Sequence, residues 1–329
     1  MKVLITGGTG FIGSRLALRC LERGDEVRVL GQENTPAETS NRTLIEKRGA
    51  KISVGSVIEN PDLQGLFEGV DVVFHLAAAQ HEMNVPDRRF WDVNVTGTKN
   101  VLEASVAAGV SRVIHGSTIG VYGVPTTVID EETPCRPDNI YGVTKLEGEK
   151  LALSYRDRLA VVVIRIPEVY GPGDRRLVKL FKPINKGAFF LIGRGDNVHH
   201  LIFIDDLTDA FLQSAEHDGA ANELFLLAGK DPVTTKQMAV TIAEQLGTKL
   251  PRFRAPMLPF LALATLMELG LRPLGIQPPL HRRRLDFFRK SFTLSADRAR
   301  KAFGFDPKTD FAEGARQTAA HYKEEGLLQ

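Results

Sequence analysis

Apolar residues along the chain fall into short blocks separated by stretches with helical spacing. Val3–Ile5, Val27–Leu30, Ile52–Val54, Val72–His75, Arg112–His115, Val161–Ile166 and Glu223–Leu227 are such blocks, rich in Val and Ile with little polar alternation. That pattern predicts strands buried on both faces. Phe11–Arg23 and Val95–Ala108, lying between them, are spaced as helices. The alternation argues for an α/β chain: a parallel sheet with helices on both faces.

After residue 166 the pattern loosens. Leu177–Gly193 and the region after Gly229 read as insertions that build a smaller, mostly helical lobe. The expected division is residues 1–166 plus about 200–228 in the sheet domain, and about 167–199 plus 229–329 in the lobe. Thr234 is placed to cap a helix running to about Gln245. Arg252–Leu280 reads as helix and loop with many prolines. Within it, Ala255–Met267 is largely apolar but holds Pro256 and Pro259 and is followed by Glu268. It is too short and interrupted to span a bilayer. A core or pocket-lining helix is expected, with an interfacial membrane helix as the alternative.

Composition narrows the class. The 329 residues are 43% hydrophobic and 25% charged, as in soluble globular proteins, with ample chain for a buried core. A net charge of +2 argues against nucleic acid as a partner. Two cysteines, Cys20 and Cys135, make no disulfide framework and fit a reduced, cytoplasmic setting. The glycines after Ile5 end the first apolar run at once, so no secretory signal and no stable membrane insertion are expected. No metal site is expected.

Those glycines carry the first chemical signal. Gly8-x-Gly10-x-x-Gly13, or equally Gly7-x-x-Gly10-x-x-Gly13, follows a strand and opens a helix. This is the context of a dinucleotide phosphate site. Gly10 lets backbone approach a pyrophosphate, Gly13 lets helix pack close to strand, and helix-start amides face the anion. The carboxylate expected after the second strand is missing. Leu30 is followed by Gly31, and Gln32, Glu33 or Asn34 are left to hold the ribose, with Arg42 available to a 2′-phosphate. NAD and NADP both stay open. Glu33, and the lack of an arginine directly after the strand, favour NAD.

The second signal is Tyr141-x-x-x-Lys145. On a helix these residues share a face. A phenol that exchanges protons near neutrality must lose about three units from a pKa near 10, roughly 4 kcal/mol. One ammonium about 4 Å away at an effective dielectric near 20 supplies roughly that much. Upstream, Ser117 and Thr118 sit at the carboxyl end of a buried strand, where open parallel sheets bind ligands. Either hydroxyl could hold a carbonyl oxygen for hydride attack.

Together these residues resemble the extended short-chain dehydrogenase/reductase superfamily, also described as the NAD-dependent epimerase/dehydratase family. The segments that carry the resemblance are "TGGTGFIG" (6–13), "HLAA" (75–78), "NVTGT" (94–98), "STIGVYG" (117–123), "YGVTK" (141–145) and "VYGPGD" (169–174). The resemblance implies a Rossmann-type, doubly wound parallel sheet with a smaller, mostly helical C-terminal substrate lobe. It implies a nicotinamide cofactor held by Gly7, Gly10, Phe11, Ile12, Gly13, Gln32, Ser56, Val57, Ala77, Ala78, Asn94, Tyr141 and Lys145. It implies that Thr118 (or Ser117) orients the substrate oxygen, that Tyr141 is the acid/base, and that Lys145 lowers its pKa and binds the ribose. Ala79, Glu168, His199 and Arg283 are candidate substrate residues. In the family, the helix after "NVTGT" and the helix of Tyr141 often form a dimer interface, so a homodimer is expected.

Departures from the family pattern narrow the reaction. Thr118 is followed by Ile119-Gly120, so the acidic pair of nucleotide-sugar dehydratases and the Glu of the related decarboxylases are absent. Glu168 and His199 stand where sugar-nucleotide enzymes often carry Asn and Arg near a diphosphate. Ser56 replaces a carboxylate near adenine. The C-terminal part looks most like the 3β-hydroxysteroid dehydrogenase-type branch, through Pro259–Leu274, "PPLHRRRLDFF" (278–288) and 292–314. That suggests an apolar pocket. The expected function is hydride transfer between nicotinamide and a secondary alcohol or ketone carbon of a small molecule. The alternatives are a nucleotide-sugar epimerase that holds NAD tightly and, more remotely, a non-catalytic cofactor sensor.

Overall fold

The computed structural model describes the chain apart from residues 60–62, 81–84, 125–127, 252, 272–277, 280–281 and 329, and apart from the side chains of Arg283 and Arg284. Seven strands form one sheet: β1 (Lys2–Thr6), β2 (Glu26–Gly31), β3 (Lys51–Val54), β4 (Val72–His75), β5 (Arg112–Thr118), β6 (Ala160–Ile166) and β7 (Leu224–Leu226). Their order is β7-β6-β5-β4-β1-β2-β3, and every neighbouring pair is parallel. The order reverses between β1 and β4, which opens a crevice at their carboxyl ends. Each of these strands coincides with an apolar block of the sequence.

The principal helices are α1 (Phe11–Glu22), α2 (Pro36–Lys47), α3 (Gly97–Ala107), α4 (Ile140–Leu153), α5 (Val178–Asn185), α6 (Ile204–Glu216), α7 (Thr235–Leu246), α8 (Met257–Leu271) and α9 (Phe311–Glu324). Both faces of the sheet are covered. Val3, Ile5, Val29, Ile114 and Ile164 pack with Leu16 of α1 and Phe211 of α6. Leu4, Val73, Val113 and Val161 pack on the other side with Val101 and Leu102 of α3.

Three expectations change. The helix placed at Val95–Ala108 starts as a π turn, Asp92–Thr96, and continues as α3. Strand β5 runs on to Thr118, which makes both candidate hydroxyls strand residues. Helix α8 is not a core helix: of its side chains only Ala264 and Glu268 are buried. Thr234 does cap α7, through a capping box with Gln237.

Candidate active site

The glycine loop is crowded where the sequence demands glycine. Gly7 has φ +71°, and a Cβ there would lie 2.7 Å from the Ala77 nitrogen. A Cβ on Gly13 would lie 2.3 Å from the Gly7 carbonyl oxygen. Gly10 caps α1 and brings no side chain to its amides, so the helix start stays open to the crevice. A cleft of about 490 Å³ runs from this loop across the sheet edge.

Gly7, Gly10, Phe11, Ile12, Gly13, Gln32, Ser56, Val57, Ala77 and Ala78 all line the cleft, and so do Ser117, Thr118, Tyr141 and Lys145. Asn94 does not. It is fully buried, exchanging hydrogen bonds with the Ala79 backbone (2.8 and 3.2 Å) and donating to Thr144 (3.0 Å). It fastens the loop after β4 to the helix that carries Lys145. Ala79 is likewise buried and outside the lining, spent on this clamp.

The two hydroxyls at the end of β5 serve different partners, because successive strand residues point to opposite faces. Ser117 is buried and donates to Glu149 at 2.5 Å. Glu149 is in turn paired with Arg165 (2.9 Å), and Arg165 donates to Tyr122 (2.7 Å) and lies over its ring at 4.8 Å. Thr118, which like Ser117 lines the cleft, has its side chain hydrogen-bonded to Tyr141. The helix carrying Tyr141 starts tightly. Asn139 caps it through the Gly142 amide (3.0 Å), and a Cβ on Gly142 would lie 2.5 Å from the Gly120 carbonyl. The glycine after the tyrosine thus lets helix and loop touch.

Electrostatics differ from the simple expectation. Burial pushes the Tyr141 phenol up to about 12, against the Thr118 hydrogen bond and the Arg176 charge that lower it. In the free chain desolvation therefore outweighs every lowering influence, and the phenol stays protonated. Burial brings Lys145 down to about 8, with Glu149 opposing. Behind Lys145 lie two fully buried histidines. His75 bonds Thr6 (2.7 Å) and Thr98 (3.0 Å), whereas neither ring nitrogen of His115 finds a partner among the described residues.

The substrate candidates separate from the cleft. Glu168 and His199 bond each other at 3.3 Å, and His199 also meets Thr235 at 2.9 Å. Burial opposes it, but the His199 hydrogen bond and charge hold the Glu168 carboxyl below its usual range, aided by Arg176. Neither residue lines the cleft, although Pro167 and Val169 do. The Arg283 side chain lies outside the described residues.

Sequence reasoning missed part of the lining. Thr35, Glu38 and Asn41 of the α2 region face the cleft beside Gln32. The Thr35-x-x-Glu38 capping box was their legible signal. Arg176 also lines the cleft, directed by the Val169 carbonyl and Asp174. Arg42, the candidate for a 2′-phosphate, is tied to Glu33 (3.0 Å) and Glu46 (3.6 Å).

The sheet order, the open helix start and the Thr118–Tyr141–Lys145 cluster define an extended short-chain dehydrogenase/reductase. The chain belongs to the NAD dependent epimerase/dehydratase family, whose model matches residues 3–228. A 3beta-hydroxysteroid-dehydrogenase/decarboxylase of Arabidopsis thaliana is 28% identical over 96% of this chain, which spans 61% of that enzyme. A UDP-glucose 4-epimerase of Vibrio cholerae is 30% identical, covering 74% of this chain and 75% of its own. Among solved structures, a UDP-glucuronic acid 4-epimerase of Bacillus cereus in complex with NAD superposes with a TM-score of 0.81 over 99% of both chains, at 23% identity. The family makes this chain an enzyme of the dehydrogenase or epimerase kind. Among the described residues, no helix is long and apolar enough to cross a membrane.

Proposed function

We propose that the protein is an NAD-dependent oxidoreductase that interconverts a secondary alcohol and a ketone on a small apolar molecule. The observation that carries the reading is the Tyr141 hydroxyl bonded to Thr118 in the cleft, one helical turn before Lys145. The open start of α1 and the glycines at 7, 10 and 13 would take the pyrophosphate. Ser56 and Val57 would take the adenine, and Gln32 would take the ribose. When bound, the dinucleotide supplies or accepts the hydride. Thr118 and Tyr141 hold the substrate oxygen between two hydroxyls, and Tyr141 gives or takes its proton. Lys145, an ammonium at neutral pH, favours the phenolate that forms on proton transfer. Glu38 places a carboxylate at the cleft beside Gln32, and Arg42 is already paired, so the site favours NAD over NADP. The protein is read as a homodimer in the cytoplasm, with no nucleic acid partner.

A second reading is a nucleotide-sugar epimerase that returns the hydride to the opposite face. The similarity to the Vibrio cholerae epimerase favours it. Glu168 and His199, bonded to each other at positions where sugar-nucleotide enzymes often carry Asn and Arg, weigh against it.

The deciding experiment is mass spectrometry and absorbance of the protein as purified, followed by turnover of Tyr141→Phe. The expected results are an empty protein that binds NAD reversibly, and a variant that keeps this binding while losing about 10²–10⁴-fold in turnover. Stoichiometric bound NAD with no net reduction of added cofactor would give the epimerase reading. Full activity of Tyr141→Phe would overturn both.

A further inference from the structure

Helix α8 leaves unspent apolar surface. Leu258, Leu266 and Leu269 are 78%, 67% and 69% exposed, and Leu263 is 50% exposed. Phe253, at 63%, lies edge-on to Phe190 (centroids 5.7 Å), which in turn reaches Phe260 of the helix at 6.3 Å. Six of the thirteen large hydrophobic side chains exposed among the described residues belong to this helix and the two phenylalanines beside it. A helix apolar all round is ordinarily buried, and patches of this kind mark a site of interaction.

The surroundings carry positive charge. Lys186 and Lys249, both exposed, follow α5 and α7, whose ends are tied by a Thr248–Ile184 hydrogen bond of 3.3 Å. Exposed Arg254 sits next to Phe253, on a short strand paired with Leu191. The helix has one carboxylate, Glu268, and it is buried against Arg282 at 3.0 Å. Among the described residues around the helix, Lys186, Lys249 and Arg254 are exposed.

We propose that α8 and Phe253 rest on an anionic lipid surface. The leucines and phenylalanines would lie at the boundary between headgroups and acyl chains, and Lys186, Lys249 and Arg254 would meet headgroup phosphates. The charge argues for lipid over a second copy. In a two-fold dimer through this face, each positive rim would oppose the other. The 15 residues of α8 span about 22 Å, short of the roughly 30 Å hydrocarbon core, so the helix lies on the membrane without crossing it. This inference is independent of the reaction assigned above.

The test is co-sedimentation of the full chain with extruded vesicles. One set is phosphatidylcholine alone; the other contains phosphatidylglycerol at about one part in three. The expected result is binding at least about tenfold tighter to the anionic vesicles, released by ~0.5 M salt. Leu266→Glu with Leu269→Glu should weaken it about tenfold or more while leaving the thermal midpoint unchanged, since both side chains are exposed. Arg254→Glu should narrow the preference for anionic lipid. Failure to sediment with either vesicle would overturn the proposal. So would self-association in light scattering that those two leucine substitutions abolish, because the face would then join copies of this chain.

Discussion

Two helical glycines show how differently the two ends of this molecule are built. Gly13, in α1, has the Gly7 carbonyl 2.3 Å from where its Cβ would stand. Gly270, in α8, has nothing within 4 Å. At the nucleotide end the backbone comes close to itself and must leave room for a ligand, so the residue type is dictated by distance. At the far end the surface is open and only polarity matters. A glycine in a sequence therefore carries meaning only with its neighbours.

The largest expected effect tests how tightly the catalytic end is bound together. Arg165→Met leaves the Glu149 side chain buried and short of its partner, and should destabilise the protein by about 3–5 kcal/mol in urea unfolding. A loss under about 1 kcal/mol would mean that Ser117 and Lys145 suffice to hold that carboxylate.

Next comes Gly13→Ala. It should cost about 1–3 kcal/mol through overpacking. It should also weaken NAD binding in titration calorimetry, because α1 must shift away from the loop. Unchanged affinity would show that the crevice tolerates that shift.

The buried histidines give a smaller, graded effect. Burial holds His75 down to about 3 and His115 well below its ordinary value of 6.5. Both are neutral in the folded chain, while the unfolded chain binds protons below about pH 6.5. Stability is thus full above that pH and is lost as pH falls below 6.5, by about 1.4 kcal/mol per pH unit for each histidine while it stays neutral in the fold, down to about 3 for His75. Urea midpoints across this range should show it. His115→Phe should roughly halve the slope and give up no hydrogen bond, since neither ring nitrogen has a described partner.

The smallest effect runs the other way. Gly270→Ala in the open helix should stabilise by about 0.5–1 kcal/mol, from helix propensity alone. A destabilised variant would show that this helix is more closely covered than its exposure indicates.

The sheet was legible because its strands are apolar blocks bounded by turns, six of them largely buried; edge strand β3 has no buried residue, and Val54 is exposed against the expectation of burial on both faces. Helix α2 was not, because Ile45 is its single buried side chain and leaves no apolar stripe to read. Tyr141 and Lys145 announced themselves by spacing. Arg176 could not, because Asp174 and the Val169 carbonyl aim it across a loop. Glu168 and His199 lie 31 residues apart and could be read only as separate candidates; the fold pairs them. The raised Tyr141 pKa was also out of reach, since spacing shows a neighbouring charge but not the loss of water around it. The exposure of α8 was hidden too: its composition resembles a core helix, and only the three-dimensional arrangement shows that nothing in the described chain covers it.

The end of β5 has a consequence for how such a protein changes over generations. Ser117 is committed to the buried ion pair on which the sheet and α4 rely, while the Thr118 side chain is hydrogen-bonded to Tyr141 at the cleft. A change at 118 can therefore alter the polar group offered to the substrate without disturbing the foundation beneath. Chemistry and support are thus assigned to adjacent positions of one strand, and a lineage can revise the first while inheriting the second.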